Sequence, residues 1–393
     1  MLNCFNKDVQ LDKIDQDTNK RILIVLYYYY PYVSGVSIYA KLLAEELAKR
    51  GYIITILTSR FEKDLPRKEY INNVLVIRRP ILFRFGKGVI MPSFWLDVIR
   101  YASKNDYVNA HLPMPDTGIS SLFISKKKLI TTYQCDINLV GGLIDKFILI
   151  TSYFLMNILL ERSKSIITLS KDYFVNSKMK RYSRKAHQVY PPILTSEFKK
   201  IDSSQLLIKL GLRPNQIKIG FVGRVVYEKG IKYLFESIPF LARYLDNFII
   251  IIAGDYSKVA GGSIKDELDA YVKIYPDRIM FTGYIDDSDL KEFYSLIDVL
   301  VLPSIDPLEA FGIVQVEAML CGTPVVATNL PGVREVIKRT GYGLLSNAKD
   351  PEDIARKILC IINNKPKYTP IRNNVVKIFN QKEAIEAYIN EMS

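Results

Sequence analysis

The sequence predicts an α/β protein of two doubly wound domains facing each other across a cleft, and three observations carry that prediction. The chain has 393 residues, room for two domains of roughly 100 to 200 residues each. Short apolar runs of strand length alternate with segments of helical periodicity, and the runs are apolar on both faces, as strands of a covered parallel sheet must be. The alternation stops at Tyr190-Pro191-Pro192 and starts afresh near residue 217. The expected division is a polar lead over 1–20, a first domain over 21–195, a second over 196–375, and a closing helix over 376–393 that returns to the first.

Residues 22–28 (ILIVLYY) form the first strand, which Tyr30-Pro31-Tyr32-Val33-Ser34-Gly35 ends. Tyr39, Leu42, Leu43 and Leu47 then recur at helical spacing, and Arg50-Gly51 supplies the basic last turn and the glycine that close a helix. Residues 53–57 (IITIL) are strand again, completing one βαβ unit. Further strands are expected over 74–77, 107–110, 129–132 and 165–169. In the second half, strands over 217–222, 248–253, 278–281, 299–302 and 324–327 alternate with helices over 231–244, 288–296, 313–320 and 351–363. In such sheets a ligand sits beyond the carboxyl ends of the strands, which places a site in the cleft.

Composition narrows the partners. With 49% hydrophobic and 24% charged residues, the chain is neither disordered nor collagenous nor a coiled coil. The net charge of +13 divides unevenly: residues 1–200 hold 31 Lys and Arg against 17 Asp and Glu, and residues 201–393 hold 23 against 24. The first half therefore calls for an anionic partner. Cys4, Cys135, Cys321 and Cys360 are far apart, and His111 and His187 are the two histidines; neither set suggests a zinc site, and the expected compartment is the reducing cytoplasm. Residues 147–160 (FILITSYFLMNILL) are the most apolar stretch, shorter than the about 20 residues of a membrane span. They read as a buried helix, with an interfacial helix as the alternative.

Two constellations carry chemistry. In Phe221-Val-Gly-Arg-Val-Val-Tyr-Glu-Lys-Gly230, a strand ends at Gly223, and Arg224 and Lys229 stand in the loop before a helix. A guanidinium fork and an ammonium point charge there suit a diphosphate, although a solvated basic loop has the same composition. In Glu309-Ala-Phe-Gly-Ile-Val-Gln-Val-Glu317, two carboxylates flank a Phe-Gly turn into a helix. Were the whole stretch helical, they would lie about 12 Å apart along the axis, too far for a glycosidase acid and nucleophile pair. They suit opposite ends of one extended ligand, with the amides near Gly312 and Ile313 facing its phosphates; a glutamate that merely complements a helix dipole is the competing reading.

Together these residues resemble glycosyltransferase family 4, the retaining nucleotide-sugar enzymes of the GT-B fold, in which two Rossmann-like domains face across a cleft. Glu309 and Glu317 match the family's E-x7-E motif, Gly223, Arg224, Lys229 and Gly230 its G-R-x-x-x-x-K-G segment, and Ala318-Met-Leu-Cys-Gly-Thr-Pro-Val325 the stretch that follows. The resemblance implies a second domain that holds the donor: Arg224 and Lys229 on the diphosphate, Glu317 on the ribose, Glu309 on the transferred sugar, and amides from Phe311 to Ile313 on sugar and phosphate. Base contacts are implied near Tyr284 and Ile285. In the first domain Pro31-Tyr-Val-Ser-Gly35 resembles the glycine loop beside the donor phosphate, with Val36 where a second glycine is common. Asn109-Ala-His111-Leu-Pro resembles the segment whose histidine lies beside the donor sugar, so His111 joins Glu309, Arg224 and Lys229 as the catalytic candidates; an ordinary strand-end histidine is the other reading. Thr131-Thr-Tyr-Gln134-Cys-Asp136 resembles a segment that often has His where Gln134 stands, and Gln134 and Asp136 are the acceptor-side candidates.

No cofactor and no catalytic metal is expected. Asp15-Gln16-Asp17 spells the metal-binding D-x-D of other glycosyltransferases but precedes the first strand, and residues 255–262 (DYSKVAGG) read as a surface insertion. Arg78-Arg-Pro-Ile-Leu-Phe-Arg-Phe-Gly-Lys87, Phe94-Trp95 and Lys126-Lys-Lys128 mix cations with aromatics and suit an anionic membrane surface. The expectation is a metal-independent hexosyltransferase using a UDP- or GDP-sugar and a lipid-linked or oligosaccharide acceptor, cytoplasmic at the inner face of the cell membrane. The alternatives are a nucleotide-sugar epimerase of the same fold and a basic nucleic-acid- or membrane-binding protein without activity. Nucleic acid has only charge in its favour, since the chain carries no reader motif.

Overall fold

The computed structural model describes residues 19–85, 88–139, 141–254 and 264–392; the Asp15-Gln16-Asp17 triplet, Lys87 and the 255–262 insertion lie outside them. The first domain supplies β1 (Arg21–Val25), β2 (Ile53–Arg60), β3 (Lys68–Ile71), β4 (Val74–Pro80), the hairpin β5 (Phe83–Phe85) and β6 (Gly88–Ile90), β7 (Tyr107–Leu112), β8 (Leu129–Tyr133), β9 (Ser165–Thr168) and β10 (Ala186–Gln188). Eight of these form one sheet in the order β10-β9-β8-β7-β1-β2-β4-β3, with β3 its one antiparallel member. Its helices are α1 (Gly35–Lys49), α2 (Phe94–Ala102), α3 (Asp116–Ser121), α4 (Leu143–Arg162) and α5 (Lys171–Asn176).

The second domain opens with α6 (Ser204–Lys209) and adds β11 (Ile217–Val222), α7 (Ile231–Glu236), α8 (Ile238–Leu241), β12 (Phe248–Ala253), α9 (Lys265–Ile274), β13 (Ile279–Gly283), α10 (Asp287–Leu296), β14 (Val299–Leu302) and α11 (Ile313–Leu320). There follow β15 (Val325–Thr328), α12 (Val333–Thr340), β16 (Gly343–Ser346), α13 (Pro351–Asn363), α14 (Lys365–Tyr368) and α15 (Arg372–Ile378). The six strands run parallel in the order β13-β12-β11-β14-β15-β16. β12 reads FIIIIA and is buried along its whole length, as helices on both faces require. Strand order reverses between β1 and β7 in one sheet and between β11 and β14 in the other, and a crevice opens at each reversal.

Four local results differ from the sequence reading. The helix expected over 231–244 breaks at Ser237 into α7 and α8, because Pro239 has no N–H to continue the ladder. α12 and β16 complete the second sheet from a segment too short and polar to announce itself. Arg78 is not a surface cation: it is buried in β4, paired with Glu69, and its Nη2 donates to the Tyr30 carbonyl at 2.8 Å. The apolar stretch 147–160 is not a buried helix. It forms most of α4, where Ser152, Met156, Leu159 and Leu160 face inward, while Phe147, Ile150 and Phe154 are exposed.

The last helix, α16 (Gln381–Met392), packs on the first domain, its Tyr388 hydroxyl bonded to Thr132. The chain thus crosses between domains twice, once after β10 and once after α15. At these crossings Tyr190 and Phe379 lie ring against ring at 5.0 Å, and both meet Phe311 of the second domain, at 5.7 and 5.9 Å.

α3 seats α4 through Gly118, where a Cβ would fall 2.2 Å from the Leu155 carbonyl oxygen. Gly118→Ala is therefore expected to lower stability by about 1–3 kcal/mol. Gly35→Ala, whose Cβ meets nothing within 4 Å, should change it by no more than about 0.5 kcal/mol. Urea unfolding followed by circular dichroism compares the two, and equal midpoints would contradict the tight α3–α4 crossing.

Candidate functional site

The carboxyl ends of β11 and β14 bring the two constellations of the second domain together. Gly223 follows the end of β11, and its N–H donates to the Ala253 carbonyl at 3.0 Å. Arg224 follows, half-buried, with Nη2 3.5 Å from Glu228 Oε1. Lys229 closes a 3-10 turn, and Gly230 then takes φ 65° to enter α7. A Cβ on Gly230 would lie 2.1 Å from the Pro303 carbonyl oxygen, so the loops after β11 and β14 press together at this residue. The contact sets the Lys229 ammonium against the Glu309 carboxylate as an ion pair. Ser304 Oγ donates to the same oxygen, Oε2, at 3.3 Å.

α11 begins only at Ile313, so Glu309 stands in the loop ahead of the helix and Glu317 lies on its second turn. Glu317 accepts from the Tyr294 hydroxyl at 2.7 Å. Gly312, at φ 77°, heads the helix with no side chain capping it; the Gln315 N–H donates to the Gly312 carbonyl at 3.0 Å, and the Ile313 and Val314 amides ahead of it suit an anion. The Phe311 ring is buried against Tyr190 and Phe379, so this residue can offer a ligand its backbone only. Tyr284, exposed, and Ile285, half-buried, follow the carboxyl end of β13.

In the first domain, Gly35 starts α1 beside β1's end, where Ser34 and Ser37 form a reciprocal cap. His111, near the end of β7, is buried and lies opposite Thr132 of β8. Burial lowers its pKa from 6.5 to about 3, so the ring is neutral at physiological pH. The Gln134 amide nitrogen lies 2.8 Å from His111 Nδ1. With that nitrogen as donor, Nδ1 accepts and the ring proton sits on Nε2, which has no hydrogen-bond partner among the described residues. Asp136 is held differently: its carboxylate accepts from the Tyr133 and Tyr153 hydroxyls and the Lys178 N–H, and its own N–H donates to the Tyr173 hydroxyl at 2.9 Å. That cage makes Asp136 an anchor for the loop after β8.

Two further contacts bind the halves of the site, and the sequence reading missed both. Asn138 Nδ2 donates to Asp306 Oδ2 at 2.7 Å. Asp172 of α5 accepts from Arg334 Nε at 2.8 Å and Nη2 at 2.7 Å, and from the Gly332 N–H at 3.0 Å. Burial alone would raise the Asp172 pKa; the Arg334 and Gly332 hydrogen bonds outweigh it and hold the carboxyl below its usual range. These partners stand far apart in sequence, and no local pattern marks them.

Comparison with known proteins agrees over nearly the whole chain. Residues 33–193 match the family described as Glycosyltransferase Family 4, and residues 202–377 the family described as Glycosyl transferases group 1. An uncharacterized glycosyltransferase of Methanocaldococcus jannaschii is 30% identical over 357 residues, 85% of this chain and 87% of that protein. The chain belongs to glycosyltransferase family 4. Among solved structures, sucrose-phosphate synthase of Thermosynechococcus elongatus superposes with a TM-score of 0.75 at 19% identity, over 94% of this chain and 98% of that one. The Anabaena protein HepE, solved in complex with UDP-glucose, gives 0.71 at 20% identity, over 95% and 98%. This family 4 glycosyltransferase therefore has the GT-B fold.

The buried histidine of this glycosyltransferase ties stability to pH. The folded pKa of about 3 lies below the unfolded 6.5, so between those values the unfolded chain binds the extra proton and acid favours unfolding. The contribution is complete above 6.5 and shrinks as pH falls toward 3. From about pH 7.5 to about pH 5 it amounts to about 2 kcal/mol. Urea titrations at the two pH values are expected to show that loss in the wild type and a smaller one in His111→Gln; equal losses would refute the assignment.

Proposed function

We propose that the protein is a retaining, metal-independent hexosyltransferase that takes its sugar from a UDP- or GDP-linked donor and gives it to a lipid-linked or glycan acceptor at the inner face of the cell membrane. The observation that carries this reading is the Lys229–Glu309 pair at the strand-order reversal of the second sheet, flanked by Arg224 and the uncapped start of α11. A diphosphate entering there competes with Glu309 for the Lys229 ammonium. Its greater charge wins the cation, and the released carboxylate is then free to accept from a sugar hydroxyl. UDP-glucose in the HepE structure supports a nucleotide-sugar donor.

The chemistry follows from where charge builds. As the bond from the sugar's anomeric carbon to the diphosphate breaks, negative charge grows on the departing oxygen, next to Arg224, Lys229 and the α11 amides, which stabilise it without reorganising. The acceptor hydroxyl attacks from the same face, passes its proton to that diphosphate oxygen, and forms the new glycosidic bond with the configuration kept. No protein nucleophile is needed. His111, neutral with its proton on Nε2, is suited to donate to a sugar oxygen rather than to act as a base.

Arg224→Ala and Glu309→Ala are each expected to lower turnover by roughly 100-fold or more while the circular dichroism spectrum stays unchanged. A melting-temperature screen against UDP-, GDP- and ADP-sugars finds the donor, since tight binding to the native state raises the midpoint. Proton NMR then reads the product anomer. Retention of near-normal transfer by either variant, or conversion of the donor to an epimer with no acceptor present, would overturn the proposal.

A further inference from the structure

α4 carries a surface that the transfer reaction does not use. Leu143, Phe147, Ile150 and Phe154 recur at intervals of four, three and four residues, the spacing of one helical face. With Ile144 beside them, they are 63 to 84% exposed. The stripe runs most of a helix about 30 Å long. Alongside it, α3 and the turn after it add exposed Ile119, Leu122 and Phe123, and α2 adds Leu96. Exposed apolar side chains clustered in this way mark an interaction surface.

Cations border this face. Lys126 and Lys127 are exposed in the turn before β8, and Arg181 is exposed beyond α5. Lys126, Arg162 and Arg181 line a groove of about 620 Å³ together with Leu122, Phe154 and Ile158 of the apolar face; Glu161 is its one acid. The helix is long and apolar enough to cross a bilayer. Its opposite face, however, is anchored in the fold by Met156, Leu159 and Leu160, so it can only lie along a surface. The loop leading into it holds Asn138, bonded to Asp306 across the cleft, which sets the helix's most exposed end, Leu143 and Ile144, beside the cleft mouth.

We propose that the outer face of α4, with the Lys126–Arg181 groove, is the protein's docking site for an anionic lipid bilayer. The apolar side chains enter the acyl boundary and the cations meet the headgroup phosphates. This deepens the membrane-borne acceptor reading and rests on it: a lipid-linked acceptor in that bilayer would present its head at the cleft.

The test is co-sedimentation of the full chain with vesicles of phosphatidylcholine, alone or mixed with phosphatidylglycerol. Binding is expected to the mixed vesicles, about tenfold or more above binding to phosphatidylcholine alone, and to weaken as salt rises. The double variant Phe147→Glu with Phe154→Glu should lose about tenfold or more of that binding, as should Lys126→Glu with Arg181→Glu, while both keep the nucleotide-sugar melting shift. Wild-type protein that keeps the melting shift but ignores anionic vesicles overturns the docking site and leaves the transferase reading standing. So does a Phe147/Phe154 variant that binds vesicles as the wild type does. If sedimentation velocity finds a dimer that this variant dissociates, the face belongs to a second copy and the proposal fails.

Discussion

Three aromatic rings hold the geometry on which the rest depends. A site assembled from two domains works only if the domains keep a defined relation, and here the chain passes between them just twice. Tyr190 and Phe379 mark those passages, and both rest on Phe311, two residues after Glu309 and one before the glycine that starts α11. Any rotation of one domain on the other must therefore move against the loop that carries the carboxylate and the open amides. The Asp172–Arg334 pair and the Asn138–Asp306 bond add directional contacts at the cleft edge. These polar links can break and re-form in water at little net cost, whereas separating the rings exposes apolar surface. The aromatic contact is thus the pivot, and the polar ones are the latches.

The second domain's fold and the loops that carry its candidate residues were largely legible because each is local in sequence. Gly223 to Gly230 and Glu309 to Glu317 are each one strand-to-helix loop, so residue type, spacing and secondary structure coincide. The ion pair between them was not legible, since it depends on Gly230 meeting Pro303 some seventy residues away. The first domain hid more. Hydropathy reported that 147–160 is apolar, but apolarity does not say which neighbours cover a face. The sheet covers one side of α4 and no described residue covers the other. A period-3.6 reading had little to offer, because the helix is apolar around most of its circumference.

The charge of the first half resolves in the same way. Counted in sequence, its excess cations looked like a surface property, and the stretch from Arg78 onward looked like the place where they gather. In the fold several of them are structural. Arg78 holds the Tyr30 carbonyl and Glu69, Arg79 pairs with Asp97, and Arg162 holds the carbonyls of Ser121 and Ile124 at 2.6 and 3.0 Å. Arginine suits such work because its fork satisfies several oxygens at once and never loses its charge. Lys126 and Lys127 remain outside, next to the uncovered helix.

Gln134 illustrates how one substitution can set the state of a neighbour it does not replace. A histidine at that position could offer His111 either a donor or an acceptor, depending on its own proton. The glutamine here turns its amide nitrogen to the ring and donates a hydrogen bond to Nδ1. The ring is then locked with Nε2–H outward from the pair, and burial prevents a second proton from joining it. What remains is a neutral, directional donor buried near the carboxyl end of β7, one of the two strands between which the first sheet's order reverses. In the proposed reaction a positive His111 would compete with Arg224 and Lys229 for the diphosphate, whereas a neutral one would leave them the phosphate charge.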